Sequence, residues 1–176
     1  ADRAASQSLA AMGLADAPRF SVPMPFNTLL WRVVAMTPEG YVEGYRSVLI
    51  DRGPMRFTAY PSDVAALREA GDIRNVRRLG WFNRDFQRAQ VADGRLVLTD
   101  LRMGSEPDYI FKWAVAARDA DGGWVALQPA EQLREPEGRS RMMQMGETWQ
   151  RIWAEPVTGD ESAQAASGTP ATSESK

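Results

Sequence analysis

Carboxylates recur through the middle of the chain at Asp63, Asp72, Asp85, Asp93, Asp100 and Asp108. Such groups perform acid–base hydrolysis, or hold a divalent cation, only when at least two face one cleft. Backbone geometry alone accounts for most of them. Asp63 stands at a helix start and Asp93 and Asp108 stand in turns, where a short polar side chain bonds the neighbouring backbone. Asp100 differs because, with Arg102, it interrupts the apolar run of RLVLTDLRM. A second group, Arg74, Arg77, Arg78, Arg84 and Arg88, is interleaved with Trp81, Phe82 and Phe86. That mix could grip a phosphate or lie against lipid headgroups. The simpler expectation is a solvated helix face paired with Asp72 and Asp85, with the aromatics in the core. A third group, Met142, Met145, Trp149, Ile152 and Trp153, recurs at three- and four-residue steps. It would suit a partner or a membrane surface. Packing on the domain's own sheet is again the simpler expectation.

Composition removes whole classes of chemistry. The 176 residues include no His and no Cys. The usual ligands for zinc, copper and iron are therefore missing, as are Ser-His-Asp and Cys-His nucleophiles. A formal charge of -2 and a pI near 5.3 provide no global basic field, so no nucleic acid is expected and an anionic partner needs a local patch. Hydrophobic residues at 44% and charged residues at 25% match a packed domain. No stretch approaches the roughly 20 apolar residues of a membrane-spanning helix. The sequence starts at Ala1 rather than Met, as expected of a processed protein or a fragment.

The elements that must carry these groups follow from pattern and punctuation. Residues 2–12 predict a short helix ending at Gly13, and 1–19 reads as a connecting helix and linker. Pro23 and Pro25 set an extended entry. LLWRVVAM at 29–36 and YVEGYRSVLI at 41–50 then flank the Pro38-Glu39-Gly40 turn as a hairpin, and MRFTAY at 55–60 adds a strand. From Ser62 or Asp63 a helix is predicted to about Leu79, with Gly71-Asp72 marking a kink or a break and Gly80 the stop. WFNRDFQRAQV turns through Asp93-Gly94 into RLVLTDLRM, and Asp121-Gly122-Gly123 joins 109–119 to 124–129. These patterns predict an α+β domain over 20–154. Its antiparallel sheet would hold about six or seven strands packed against one long helix, and an amphipathic helix would follow near the C-terminus. Residues 155–176, small, polar and acidic without an aromatic, predict a disordered tail.

Five stretches occur in an order that resembles a known family: PMPFNTLLWRVV at 23–34, EGYRSVL at 43–49, LGWFNRDF at 79–86, RLVLTDLRMG at 95–104 and EPDYIFKWAV at 106–115. They are similar to the C-terminal soluble region of bacterial inner-membrane proteins classed by inference as metal-dependent hydrolases. That family is also described as LexA-binding and inner-membrane-associated, and the resemblance spans about residues 20–128. It assigns the metal ligands to histidines and acidic residues of an N-terminal membrane-embedded region. This sequence has no histidine, so no catalytic or metal residue transfers. The resemblance implies a non-catalytic appendage at the bacterial inner membrane, on either side, with any divalent metal in the rest of the parent chain. Its first partner would be that membrane-embedded region. It could cover the site there, with Trp31, Arg32, Trp81, Arg84, Asp100 and Arg102 as candidates for the facing surface. It could equally recruit a protein through a sheet edge or the 142–153 helix. Two other readings stay open: a free-standing ligand- or protein-binding module, with its ligand between sheet and helix, and a magnesium-dependent enzyme, which requires two of the aspartates to converge.

Overall fold

A computed structural model describes residues 1–24, 28–133 and 150–153. The elements run α1 (Asp2–Ala11), β1 (Arg19–Pro23), β2 (Leu30–Thr37), β3 (Gly40–Ser47), β4 (Phe57–Pro61), α2 (Val64–Glu69), α3 (Arg74–Asn83), β5 (Gln87–Ala92), β6 (Arg95–Asp100), β7 (Gly104–Ser105), β8 (Asp108–Tyr109), β9 (Lys112–Arg118) and β10 (Trp124–Leu133). The chain is α+β with antiparallel pairing throughout the described ladders.

The single broad sheet expected from sequence is instead two four-stranded sheets, ordered β1-β2-β3-β4 and β10-β9-β6-β5, with β7-β8 as a separate two-stranded ribbon. Strand composition and turn residues mark each hairpin but carry no information on whether successive hairpins hydrogen-bond to one another. The single long helix is likewise two, α2 and α3, broken at Gly71-Asp72. Nor does Gly80 end α3, which runs on to Asn83. Gly80 lies buried inside the helix, where a Cβ would come within 2.7 Å of Asp85 Oδ1. Its lack of a side chain makes room for the returning chain rather than stopping the helix. Arg84 at φ 55° and Asp85 at φ 61° are consecutive left-handed residues that reverse the chain from α3 into β5. The Asp93-Gly94 turn, with φ of 49° and 71°, is the predicted hairpin turn.

The sheets pack in layers because each strand face is apolar where it is covered. On β2, Val33 and Ala35 meet Ala5 and Leu9 of α1, while Val34 points the other way toward Leu101 and Tyr109. Both faces of β2 are thus covered, which explains its nearly unbroken apolar run. The second sheet buries Ala89, Leu96, Leu98, Val115 and Ala116 beneath Ala66, Ala70 and Val76 of α2 and α3. Residues 150–153 are helical, with Ile152 buried and its carbonyl accepting from Ser47 Oγ at 2.8 Å. The remainder of the predicted 142–153 helix and the predicted tail at 155–176 lie outside the described residues.

Candidate functional site

Between the sheets sits a cluster of charged groups in an otherwise apolar layer. On β3, Tyr41, Glu43 and Tyr45 alternate onto one face, and Arg32 of β2 pairs in register with Tyr45. Arg32 and Glu43 are 1% and 3% exposed. Arg32 Nη2 donates to Glu43 Oε2 and to the Tyr109 hydroxyl, each at 2.5 Å, and Nη1 donates to the Leu101 carbonyl at 2.9 Å. Tyr109 and Tyr45 in turn donate to Glu43, at 2.8 Å and 2.5 Å. A second limb holds Glu106 of the β7–β8 turn. Tyr41 donates to it from the first sheet, and Arg88 Nη1 pairs with it at 3.0 Å from the second. Two arginines and two glutamates leave the cluster formally neutral, and the rings of Phe20 and Tyr109 lie 5.7 Å and 5.4 Å from the Arg32 guanidinium. Burial, then the charge of Glu43 or Glu106, pushes the phenols of Tyr41, Tyr45 and Tyr109 well above their ordinary range. Burial pulls the Arg32 guanidinium down, but the hydrogen bond to Glu43 and the charges of Glu43, Tyr109 and Tyr45 together outweigh it, and the net shift is upward. This cluster is a joint between layers. Arg32 belongs to it and does not face a partner surface.

Asp100 and Arg102 sit elsewhere, beside a cavity of about 520 Å³ at the end of the second sheet. Leu98 of β6, Phe111 just before β9 and Trp113 of β9 contribute to the lining, as do Leu79, Phe82 and Asn83 of α3, and Met103 completes it. Arg102 grips Asp100 with Nε at 3.1 Å and Nη2 at 2.8 Å, and its guanidinium lies 4.9 Å from the Phe82 ring. The hydrogen bond to Asp100 raises the Arg102 pKa. Asn83 is 2% exposed; its Nδ2 donates to Gln87 Oε1 at 3.0 Å and its Oδ1 has no donor among the described residues. A depression of about 440 Å³ between the segment after α1 and the β2–β3 turn is shallower and offers Asp16 as its ionisable group.

The outer arc of α3 departs from the sequence expectation. Trp81 is 82% exposed and Phe82 60%, whereas Phe86 alone of the three aromatics is tucked in, edge-on to Phe20 at 4.9 Å. Because the helix continues past Gly80, residues 81 and 82 fall on its solvent arc, opposite buried Val76, Gly80 and Asn83. Arg74, Arg77 and Arg78 share that arc, and Arg84 follows at the C-cap. Among the described residues none of these four arginines forms an ion pair, so the predicted pairing with Asp72 and Asp85 is absent.

The six residues read from sequence therefore separate. Asp100 and Arg102 line the cavity, and Trp81 and Arg84 flank Phe82 on the neighbouring helix end. Arg32 is locked in the inter-sheet cluster, and Trp31, partly buried, donates its Nε1 to the Thr28 carbonyl at 2.9 Å. Sequence reading missed Tyr41, Glu43, Tyr45, Glu106 and Tyr109, although the alternation of Tyr41, Glu43 and Tyr45 opposite Arg32 was a usable sign of a polar inner face; Arg88, read with the α3 arginines, pairs with Glu106 instead. Among the described residues no three His, Cys, Asp or Glu side chains converge as a metal site, and no helix is long and apolar enough to cross a membrane. No family model matches the sequence, and no curated protein or solved structure matches it.

Proposed function

We propose that this domain is a non-catalytic part of a longer bacterial inner-membrane protein of the metal-dependent hydrolase type, and that α3 is the face it lays on anionic lipid beside its membrane-embedded partner region. The observation that carries this reading is the outer arc of α3, where Arg74, Arg77, Arg78 and Arg84 surround exposed Trp81 and Phe82 without a carboxylate partner among the described residues. Arginines bind lipid phosphates, and Trp and Phe settle at the headgroup level. At about 1 kcal/mol per basic residue near an anionic leaflet, the four arginines supply roughly 4 kcal/mol. Alone, that corresponds to binding of only about millimolar strength. It suffices for a domain held at the membrane by its own chain, since tethering supplies an effective concentration of about that size. The net charge of -2 does not oppose this, because charges farther than about 8 Å are screened at physiological salt.

The test is co-sedimentation with phosphatidylglycerol-containing vesicles against pure phosphatidylcholine. Binding should require the anionic lipid, weaken with salt, and disappear in R74E/R77E/R78E. Equal behaviour of that variant and the native chain rejects the α3 reading. For the parent protein, metal content and hydrolysis measured on the full-length chain in detergent, and on this domain alone, should be positive only for the full-length chain. Turnover by the isolated domain would redirect attention to its aspartates.

A further inference from the structure

We infer that the cavity beside α3 takes a single acyl chain of an anionic lipid, with the headgroup resting on Arg102. The proposal rests on the reading of α3 as a lipid-facing helix only for how the lipid arrives; the cavity's own chemistry argues for the ligand. Its volume of about 520 Å³ is ample for a small amphiphile. Its walls are hydrocarbon, aromatic or thioether, from Leu79, Leu98, Met103, Phe111 and Trp113, and the charged groups among its lining residues are Asp100 and Arg102. A site of that kind selects a long apolar body carrying one polar end. Arg102 spends Nε and Nη2 on Asp100, and its Nη1 has no hydrogen-bond partner among the described residues, so it can donate to a phosphate or carboxylate oxygen. Asn83, buried in the lining, leaves Oδ1 without a donor among the described residues, and a side-chain rotation would let a glycerol hydroxyl supply one.

Position supports the same occupant. Phe82 belongs both to the exposed arc of α3 and to the cavity wall, and Met103 lines the cavity while 48% exposed. Ile110, 62% exposed, donates its backbone N–H to the Met103 carbonyl at 3.2 Å, so the rim of the cavity and the ribbon beside it present apolar side chains to solvent. A bilayer apposed to α3 would therefore meet this rim, and a chain could pass from lipid into the cavity without crossing water.

The experiment titrates the purified chain with lysophosphatidylglycerol kept below micelle formation, comparing brominated with unbrominated chains and reading tryptophan fluorescence. Bromine in the cavity should quench Trp113 saturably at one lipid per chain, and W113F should lose that share of the quenching. M103W, at an exposed rim position, should weaken binding at least tenfold while keeping the native melting profile. R102Q should weaken the anionic lysolipid severalfold more than lysophosphatidylcholine. R74E/R77E/R78E separates the two proposals: it should bind monomeric lysolipid as the native chain does while losing vesicle sedimentation. Lysolipid binding without vesicle binding in the native chain would sink the α3 reading and leave the cavity assignment standing. Vesicle binding without bromine quenching of Trp113 overturns the cavity assignment alone. Quenching that W113F leaves unchanged, or M103W binding with native affinity, overturns it as well.

Discussion

Replacing Glu43 by Leu should be among the most damaging single changes in the molecule. The Arg32 guanidinium it faces has a side-chain exposure of 1%, and its other partners, the Tyr109 hydroxyl and the Leu101 carbonyl, carry no formal charge. Without the carboxylate at 2.5 Å an arginine charge stays buried with no counter-charge bonded to it, which costs about 3–5 kcal/mol. The Tyr45 and Tyr109 hydroxyls also lose their acceptor, at up to about 1–3 kcal/mol each where rotation finds no substitute. A loss of about 4 kcal/mol is thus expected, a large share of the roughly 5–15 kcal/mol that holds a typical domain. Removing both charges, as in R32M/E43L, should be less costly than the sum of the two single changes by at least about 2 kcal/mol, because neither charge is then stranded. Urea unfolding followed by far-UV circular dichroism at neutral pH reads all four proteins. A cost below about 1 kcal/mol for E43L, the value of an exposed pair, would refute the burial argument, as would additivity in the double variant.

All four tyrosines of the chain, Tyr41, Tyr45, Tyr60 and Tyr109, have phenol pKa values raised, above all by burial, with the neighbouring glutamates adding to it. A pKa above the unfolded value of about 10 stabilises the fold fully below that pH and loses its contribution as pH rises beyond it. Phenolate absorbance of the native protein should therefore show no ordinary step near pH 10 for the three buried tyrosines, which should ionise together with alkaline unfolding; a normal step there contradicts the cluster. In β3, a Cβ on Gly44 would lie 2.4 Å from the Arg56 carbonyl oxygen, so Gly44→Ala should force β3 and β4 apart and lower stability by about 1–3 kcal/mol in the same urea assay. Arg84→Gly should act in the opposite sense, since Arg84 holds φ at 55°; relief of that conformation should raise stability by up to about 1 kcal/mol while weakening vesicle binding, and a destabilised variant would show an unseen Arg84 contact.

Local chemistry made much of the fold readable. The β-branched and aromatic content of LLWRVVAM, the alternation in YVEGYRSVLI, the Asp93-Gly94 and Gly122 turns and the Gly13 stop each act over a few residues, and each appears where the pattern placed it. Gly80 misled for a physical reason. Glycine after a helical pattern usually marks the end, but here its missing Cβ admits Asp85 against the helix, a contact that depends on the chain reversal at 84–85. That one boundary moved Trp81 and Phe82 from an expected core to the surface, and with them the interpretation of the arginines around them.

The candidate site shows the same division. Asp100 and Arg102 were visible as polar interruptions of an apolar strand, but the cavity they line is built jointly by residues of α3, β6 and β9 that lie far apart in sequence. Arg32 was visible as a charge in a buried strand, yet its partners lie 11 residues away in Glu43 and 77 away in Tyr109. By itself the sequence determined the main hairpins and their turns, the antiparallel α+β class and the want of histidine and cysteine chemistry, since these depend on side-chain type and on neighbours a few bonds apart. Only the tertiary structure decided that the hairpins form two sheets, that a neutral knot of buried charge joins them, and that α3 turns its aromatic and basic arc outward. Those outcomes follow from which distant surfaces exclude water from one another, and no local pattern carries that choice.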